Sequence, residues 1–337
     1  MWGYMLKNFQ FPEFHRPWTK RYTLFVISIS FGVFLLYAII SPGIDYYGAY
    51  TWMVTSPEKL PLVAEQTWTL NPPWMVPFMA PFVTLPGNAG LITFMAAMII
   101  MTIVGCYVFG GRPILTLLSA QMWWVLWWGQ LEGWGIFALV LGWVAIIRKS
   151  WLIMFFSLAI ASFKPQVGFI PVIALWWWIG SGRWKSFVAM VLLLIASILI
   201  WGPWPFWYYK GITSFVGDLH YGPWNSSLGY IAIPLIIPAL MLPLNREKRL
   251  IALTATTLLF SPYLPFYSTI LLLCFNIPLW MYIFGFIGYL PAFFHTTVPW
   301  NLVALLPASV LVWLYWPFIT KLAYQVKTYA NRKIVEK

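Results

Sequence analysis

The sequence is short of charge. Only 8% of its 337 residues are Asp, Glu, Lys or Arg, against roughly 25% in a soluble globular protein. That shortage excludes an ordinary water-soluble enzyme, a disordered chain and a water-exposed repeat array. Acids are scarcest: eight Asp and Glu stand against 20 Lys and Arg, for a formal net charge of +12. A basic balance can mark a nucleic-acid partner, but a basic groove cannot be built on so apolar a surface. No nucleic-acid partner is expected. Cysteine is nearly absent. Cys106 and Cys274 both lie inside apolar runs, so neither a disulfide framework nor a zinc site is expected. The phosphate-cradling G-x-x-x-x-G-K-[ST] loop and the G-x-G-x-x-G fingerprint are missing as well.

What is present is apolar, at 61% hydrophobic and 20% aromatic residues. The expected class is all-α: a polytopic transmembrane helical bundle in one domain, with membrane lipids around it. A basic arm, residues 1–21, precedes a first apolar run from Tyr22 to Ser41. No small-residue cleavage site follows, so the run reads as a retained helix. Further runs are 88–109, 113–128, 131–147, 151–163, 167–180, 186–202, 228–244, 250–263, 266–282, 283–295 and 300–319. They predict about 12 helices in all. The runs 151–163 and 167–180 are short for a crossing and meet at Lys164-Pro165-Gln166, which predicts a helical hairpin. Pro73 to Leu85 holds three prolines and reads as a membrane-associated helix in a long first outer loop, 42–87. A second outer loop is 203–227, and 320–337 is a cytoplasmic tail.

With the N-terminus inside, 17 of the 20 basic residues fall on the inner side, leaving Lys59, Lys164 and Lys210 outside. Asp45, Glu58, Glu65, Glu132 and Asp218 fall outside with them. This bias predicts a multi-pass protein of the plasma (inner) membrane with both termini cytoplasmic. The inner loops are too short for a nucleotide-sugar domain. Trp and Tyr crowding at 123–128 and 176–178 reads as an interfacial belt.

Ionisable residues at membrane depth are expensive and mark functional sites. Asp45, Glu132 and Lys164 stand out, all on the outer side. Asp45, directly after the first run, is a candidate general base or else a solvated loop acid or helix cap. Lys164 at the hairpin tip is a candidate phosphate partner, with Gln166 adding an amide, or else a snorkelling side chain. Gln130 and Glu132 are candidate binders of sugar hydroxyls, or else open a helix with an acid favoured by its dipole. His220 and His295, in outer loops, are candidate hydrogen-bond donors to a phosphate, or else unremarkable loop histidines. No metal cluster is expected.

Four local patterns carry a resemblance to a family. They are Asp45-Tyr46-Tyr47; Asn71-Pro72-Pro73-Trp74 followed by Pro81-Phe82 and Leu85-Pro86; Gly129-Gln130 running to Arg148-Lys149; and Lys164-Pro165-Gln166 running to Arg183-Trp184-Lys185. Weaker echoes are Asn225-Ser226-Ser227-Leu228-Gly229 and Ser261-Pro262. Together they span about residues 22–270. In order and spacing the chain resembles the integral membrane GT-C glycosyltransferases, specifically the bacterial polyprenyl-phosphate-mannose-dependent alpha-mannosyltransferases. The resemblance implies inverting, metal-independent transfer of a mannose-like hexose or pentose. The donor is a polyprenyl phosphate, no separate cofactor is needed, and the acceptor is a lipid, glycan or protein on the outer face. It implies Asp45 as catalytic base and Lys164, Gln166 and His220 at the donor phosphate. Tyr46, Gln130, Glu132 and Asn225 would bind sugar or acceptor. The chain departs from the pattern at Asn71 and Trp74, where Tyr and Leu are usual. It departs again at Pro265-Phe266-Tyr267, where an aromatic-His pair is common. Two other readings fit the composition: a non-catalytic scaffold subunit of a larger membrane assembly, and a lipid or solute transporter. Inverted repeats and midplane charges, the marks of a transporter, are not seen in the sequence.

Overall fold

The computed structural model describes residues 17–57, 71–210, 225, 227–261, 263–290, 302 and 305–335. Every named element among them is helical. The larger helices are α1 Lys20–Ile40, α2 Ala89–Phe109, α3 Ala120–Trp128, α4 Glu132–Arg148, α5 Trp151–Ala161, α6 Pro165–Trp178, α7 Arg183–Trp201, α8 Arg246–Phe260 and α9 Leu305–Val335. Their starts follow local chemistry. Thr19, Ser119, Ser150 and Asn245 each accept a backbone N–H of the first turn through a side-chain oxygen, which satisfies a donor the helix itself leaves open.

Among the described residues, four segments are long and apolar enough to cross a membrane: Lys20–Ile40, Ala89–Phe109, Gly180–Trp201 and Leu305–Val326. A fifth arises if α3 and α4 are taken as one span bent by 111°. These are fewer than the twelve apolar runs. The run 113–128 breaks at Ser119, which caps α3. The run 228–244 is a 3-10 turn, Gly229–Leu235, followed by the short helix Ile236–Met241. The run 266–282 splits into Phe266–Thr269, Ile270–Leu273 and Leu279–Tyr282. Capping residues and prolines interrupt the backbone in these runs, and hydropathy counts side chains without registering the breaks. The hairpin is present: α5 and α6 pack side by side across the turn 162–164. The segment from Pro73 to Val83 is also helical, and it buries Trp74, Met75 and Met79.

α4 is the centre of the bundle and packs on α2, α5 and α6. Its Gly142 allows the closest approach. A Cβ there would stand 2.7 Å from Leu175 and 2.9 Å from the Ser157 hydroxyl, so only glycine lets three helices meet at this depth. α8 packs between α6 and α9, and α1 lies on α2.

Helix polarity sorts the charges. The Trp18 ring lies 5.1 Å from Tyr107, setting the start of α1 beside the end of α2. Gly43 packs on Leu91, setting the end of α1 beside the start of α2. α4 and α5 are joined through Lys149-Ser150, and Gly182 lies against Trp151. Lys20, Arg21, Arg112, Arg148, Lys149 and Arg183 therefore gather at one end of the bundle. Asp45, Glu132 and Lys164 gather at the other. The rings at 123–128 are half-buried against Phe266, Tyr289 and one another, so they also serve internal packing.

Candidate functional site

Asp45 is held beside Gln130 by backbone contacts. Ser41 donates its hydroxyl to the Leu126 carbonyl at 2.8 Å, and the Gly43 N–H donates to Trp127 at 3.2 Å. Both carbonyls belong to the last turn of α3, whose carbonyls have no partner within the helix. α3 then stops at Gly129, which takes φ +72°. A Cβ on Gly129 would lie 2.8 Å from the Tyr46 Cβ. Gly129→Ala is therefore expected to cost on the order of 1–3 kcal/mol and to separate Asp45 from Gln130. A melting temperature equal to wild type in detergent would show that this close approach is not needed. Immediately after Asp45 the chain forms a π-helical turn, Tyr46–Tyr50, a feature often found at functional positions.

The next contacts bring four distant segments together. The Gln130 amide Nε2 donates to Asp45 Oδ2, and Lys164 Nζ donates to Gln130 Oε1 at 3.2 Å. A carboxylate only accepts and an ammonium only donates, so this sandwich fixes which way the amide points. Lys164 also ion-pairs with Glu132 Oε1. The same oxygen accepts the Ser268 hydroxyl at 2.7 Å. Lys164 Nζ lies 4.8 Å from the Tyr267 ring centroid, a cation–π contact. The Glu132 side chain is 0% exposed and that of Lys164 14%. Glu132 Oε2 is buried with no hydrogen-bond partner among the described residues.

The hairpin tip is pinned from outside the cluster. Asn71 Nδ2 donates to the Phe163 carbonyl, and Trp74 Nε1 donates to Ser162 Oγ at 3.1 Å. Tyr208 donates its hydroxyl to the Asn71 carbonyl. The two residues that depart from the family pattern thus hold the turn that presents Lys164.

With Lys164 protonated and both acids ionised, the cluster carries two negative charges and one positive. Burial pushes the Asp45 carboxyl up to about 6. Lys164 and the Gln130 hydrogen bond pull it down, and Glu132 pushes it further up. At neutral pH Asp45 is therefore ionised but more basic than an ordinary aspartate.

The sequence-selected residues divide as follows. Asp45, Gln130, Glu132 and Lys164 form the cluster. Tyr46 is buried beside it, stacked edge-on with Tyr47 and tilted against Phe94. Gln166 sits in the first turn of α6, partly exposed, with no side-chain hydrogen bond among the described residues. Asn225 uses its side-chain oxygen to accept the backbone N–H groups of Ser227 and Leu264, at 3.0 and 2.9 Å, and so braces the segment that leads to Tyr267. His220 and His295 lie outside the described residues, as do most of the second outer loop, Glu58, Lys59, Glu65, Asp218, Ser226 and Pro262. Ser268 was not selected from sequence. Its signal was faint: a Tyr-Ser pair two residues after Pro265 in an otherwise apolar run. No group of three His, Cys, Asp or Glu suited to a metal occurs among the described residues.

The fold and this cluster define a helical protein with several helices able to cross a membrane and a charged site at one end of the bundle. No protein family, curated protein or solved structure matches the chain.

Proposed function

We propose that the protein is a membrane glycosyltransferase that uses a polyprenyl-phosphate sugar. The observation that supports this best is the meeting of Asp45, Gln130, Glu132 and Lys164 from three separated segments, at the end of the bundle away from the basic clusters. Asp45 takes the proton from the acceptor hydroxyl. The acceptor oxygen then bonds to the sugar's anomeric carbon as that carbon's bond to the phosphate oxygen breaks. The bonding pair leaves with the phosphate, and the sugar inverts. Lys164 offsets the charge that grows on the leaving phosphate. Gln130 fixes Asp45 relative to Lys164, and Gln166, two residues on in the first turn of α6, is assigned to the same headgroup. In this reading the short helices α5 and α6 enter the membrane part-way as a hairpin and complete the bundle. Both termini then face the cytoplasm of a multi-pass inner-membrane protein.

The test is direct. Purified protein incubated with a polyprenyl-phosphate hexose and a lipid or glycan acceptor should release the lipid phosphate. No release, with the lipid nonetheless bound, would favour the scaffold reading. One observation speaks for that reading: Lys164 is already ion-paired with Glu132.

Topology is tested separately. A cysteine at Leu85, near the site end, should react with an impermeant thiol reagent in intact cells, and one at Lys248 should not. The reverse pattern would overturn the orientation.

A further inference from the structure

Resting on the donor assigned above, we infer that Glu132 is a positioning residue that latches Lys164 and competes with the lipid phosphate for it. The Lys164 ammonium has three N–H donors. The structure accounts for three directions around Lys164 Nζ: Glu132, Gln130 and the face of Tyr267. An arriving phosphate therefore cannot pair fully with Lys164 unless one of them lets go. Gln130 is held at its other end by Asp45, and the ring contact is the weakest. The Glu132 contact is the one whose loss matters most, because of these three contacts it is the ion pair.

Glu132 is built to survive the exchange. Its Oε1 retains the Ser268 hydroxyl at 2.7 Å when Lys164 turns away. Its Oε2 is buried and unpartnered, so a hydroxyl of the bound sugar or acceptor has an acceptor waiting. The other groups facing this pair are Asp45, Tyr50, Tyr263 and Tyr267. None of them adds a second cation.

The latch has a consequence for turnover. The donor is a phosphodiester with one negative charge. The product is a phosphomonoester, whose second ionisation lies near pH 6 and brings its charge to about −1.5 to −2 near neutrality. A lone buried lysine would hold the product more tightly than the donor. A competing carboxylate weakens both and helps the product leave.

The experiment measures binding of a short-chain polyprenyl monophosphate to the full-length protein in nanodiscs, with inorganic phosphate as a second probe. Glu132→Gln keeps size and hydrogen bonding but removes the competing charge. It should tighten the lipid phosphate by about tenfold, the lower end of measured couplings between close charge pairs. Ser268→Ala removes the alternative partner of Glu132. It should weaken binding several-fold, because Glu132 then depends more on Lys164. Weaker or unchanged binding in a folded Glu132→Gln protein would overturn the latch. If that variant does not fold, the sign of the Ser268→Ala effect decides. Failure of the wild-type protein to bind the lipid at all would instead remove the donor assignment. Equal gains for lipid and inorganic phosphate would place the effect on the headgroup alone, as the latch requires. A gain for the lipid only would place it on the chain and overturn the latch.

Discussion

Asp45→Asn should lower turnover by about 10²–10⁴-fold, the usual worth of general acid–base assistance. Asparagine keeps the size of the side chain but cannot take the acceptor's proton. The asparagine carbonyl can still accept from the Gln130 amide, so the cluster should stay assembled and donor binding should change little. The pH profile carries a second signature. The carboxyl must be ionised to act, and burial has pushed it up to about 6. The rate of the wild-type protein should therefore fall as pH drops through about 6, not near 4 as for an exposed aspartate. Measuring kcat/KM from pH 4.5 to 8.5 for both proteins checks both points. Near-normal turnover in folded Asp45→Asn, or a flat wild-type profile across pH 6, would remove Asp45 as the base.

Lys164→Ala should have the second largest effect, on two observables at once. Removing the ammonium leaves Glu132 buried without its counter-charge, with the Ser268 hydroxyl as its remaining partner among the described residues. Breaking a buried pair from one side typically costs about 3–5 kcal/mol, so the melting temperature should fall. Adding Glu132→Gln should recover most of that loss, because the stranded charge is gone. Turnover and donor binding should stay low in both proteins, because the lost pairing with phosphate is not restored. Lys164→Arg should keep part of each, though a planar guanidinium does not fit a site shaped around a compact ammonium. Thermal unfolding beside lipid-phosphate binding for the single and double variants separates these terms. Donor affinity that returns with stability in the double variant would make Lys164 a structural residue alone.

The site was legible in part because its chemistry is conspicuous against an apolar background. Asp45, Glu132 and Lys164 are three of the few charges outside the basic clusters, and an ionisable group is costly at membrane depth. Sequence therefore selects them, but it leaves their relation open. Lys164 reads from sequence as a free cation waiting for phosphate. In the fold it is already paired with Glu132 and bridged by Gln130 to Asp45. Residues 45, 130–132, 164 and 267–268 are far apart along the chain, and no local pattern reports that they meet. Ser268 and Tyr267 escape because one hydroxyl and one ring in an apolar run look like ordinary core. Asn71 and Trp74 read from sequence as departures from a motif, whereas the fold uses them to pin the turn before Lys164.

Composition alone pointed to a helical chain with several segments apolar enough to cross a membrane, since so much apolar surface is favoured out of water. The spacing of the basic residues determined how the helices' ends are sorted. Side-chain type determined the helix starts at Thr19, Ser119, Ser150 and Asn245. The tertiary structure decided which apolar runs continue as straight helices and which break, because a cap or a proline acts on the backbone and hydropathy does not register it. It also decided the charge state and partners of the site. Those depend on burial and on distances of a few ångströms between segments, and these exist only once α3, α4, the α5–α6 hairpin and the end of α8 have packed together.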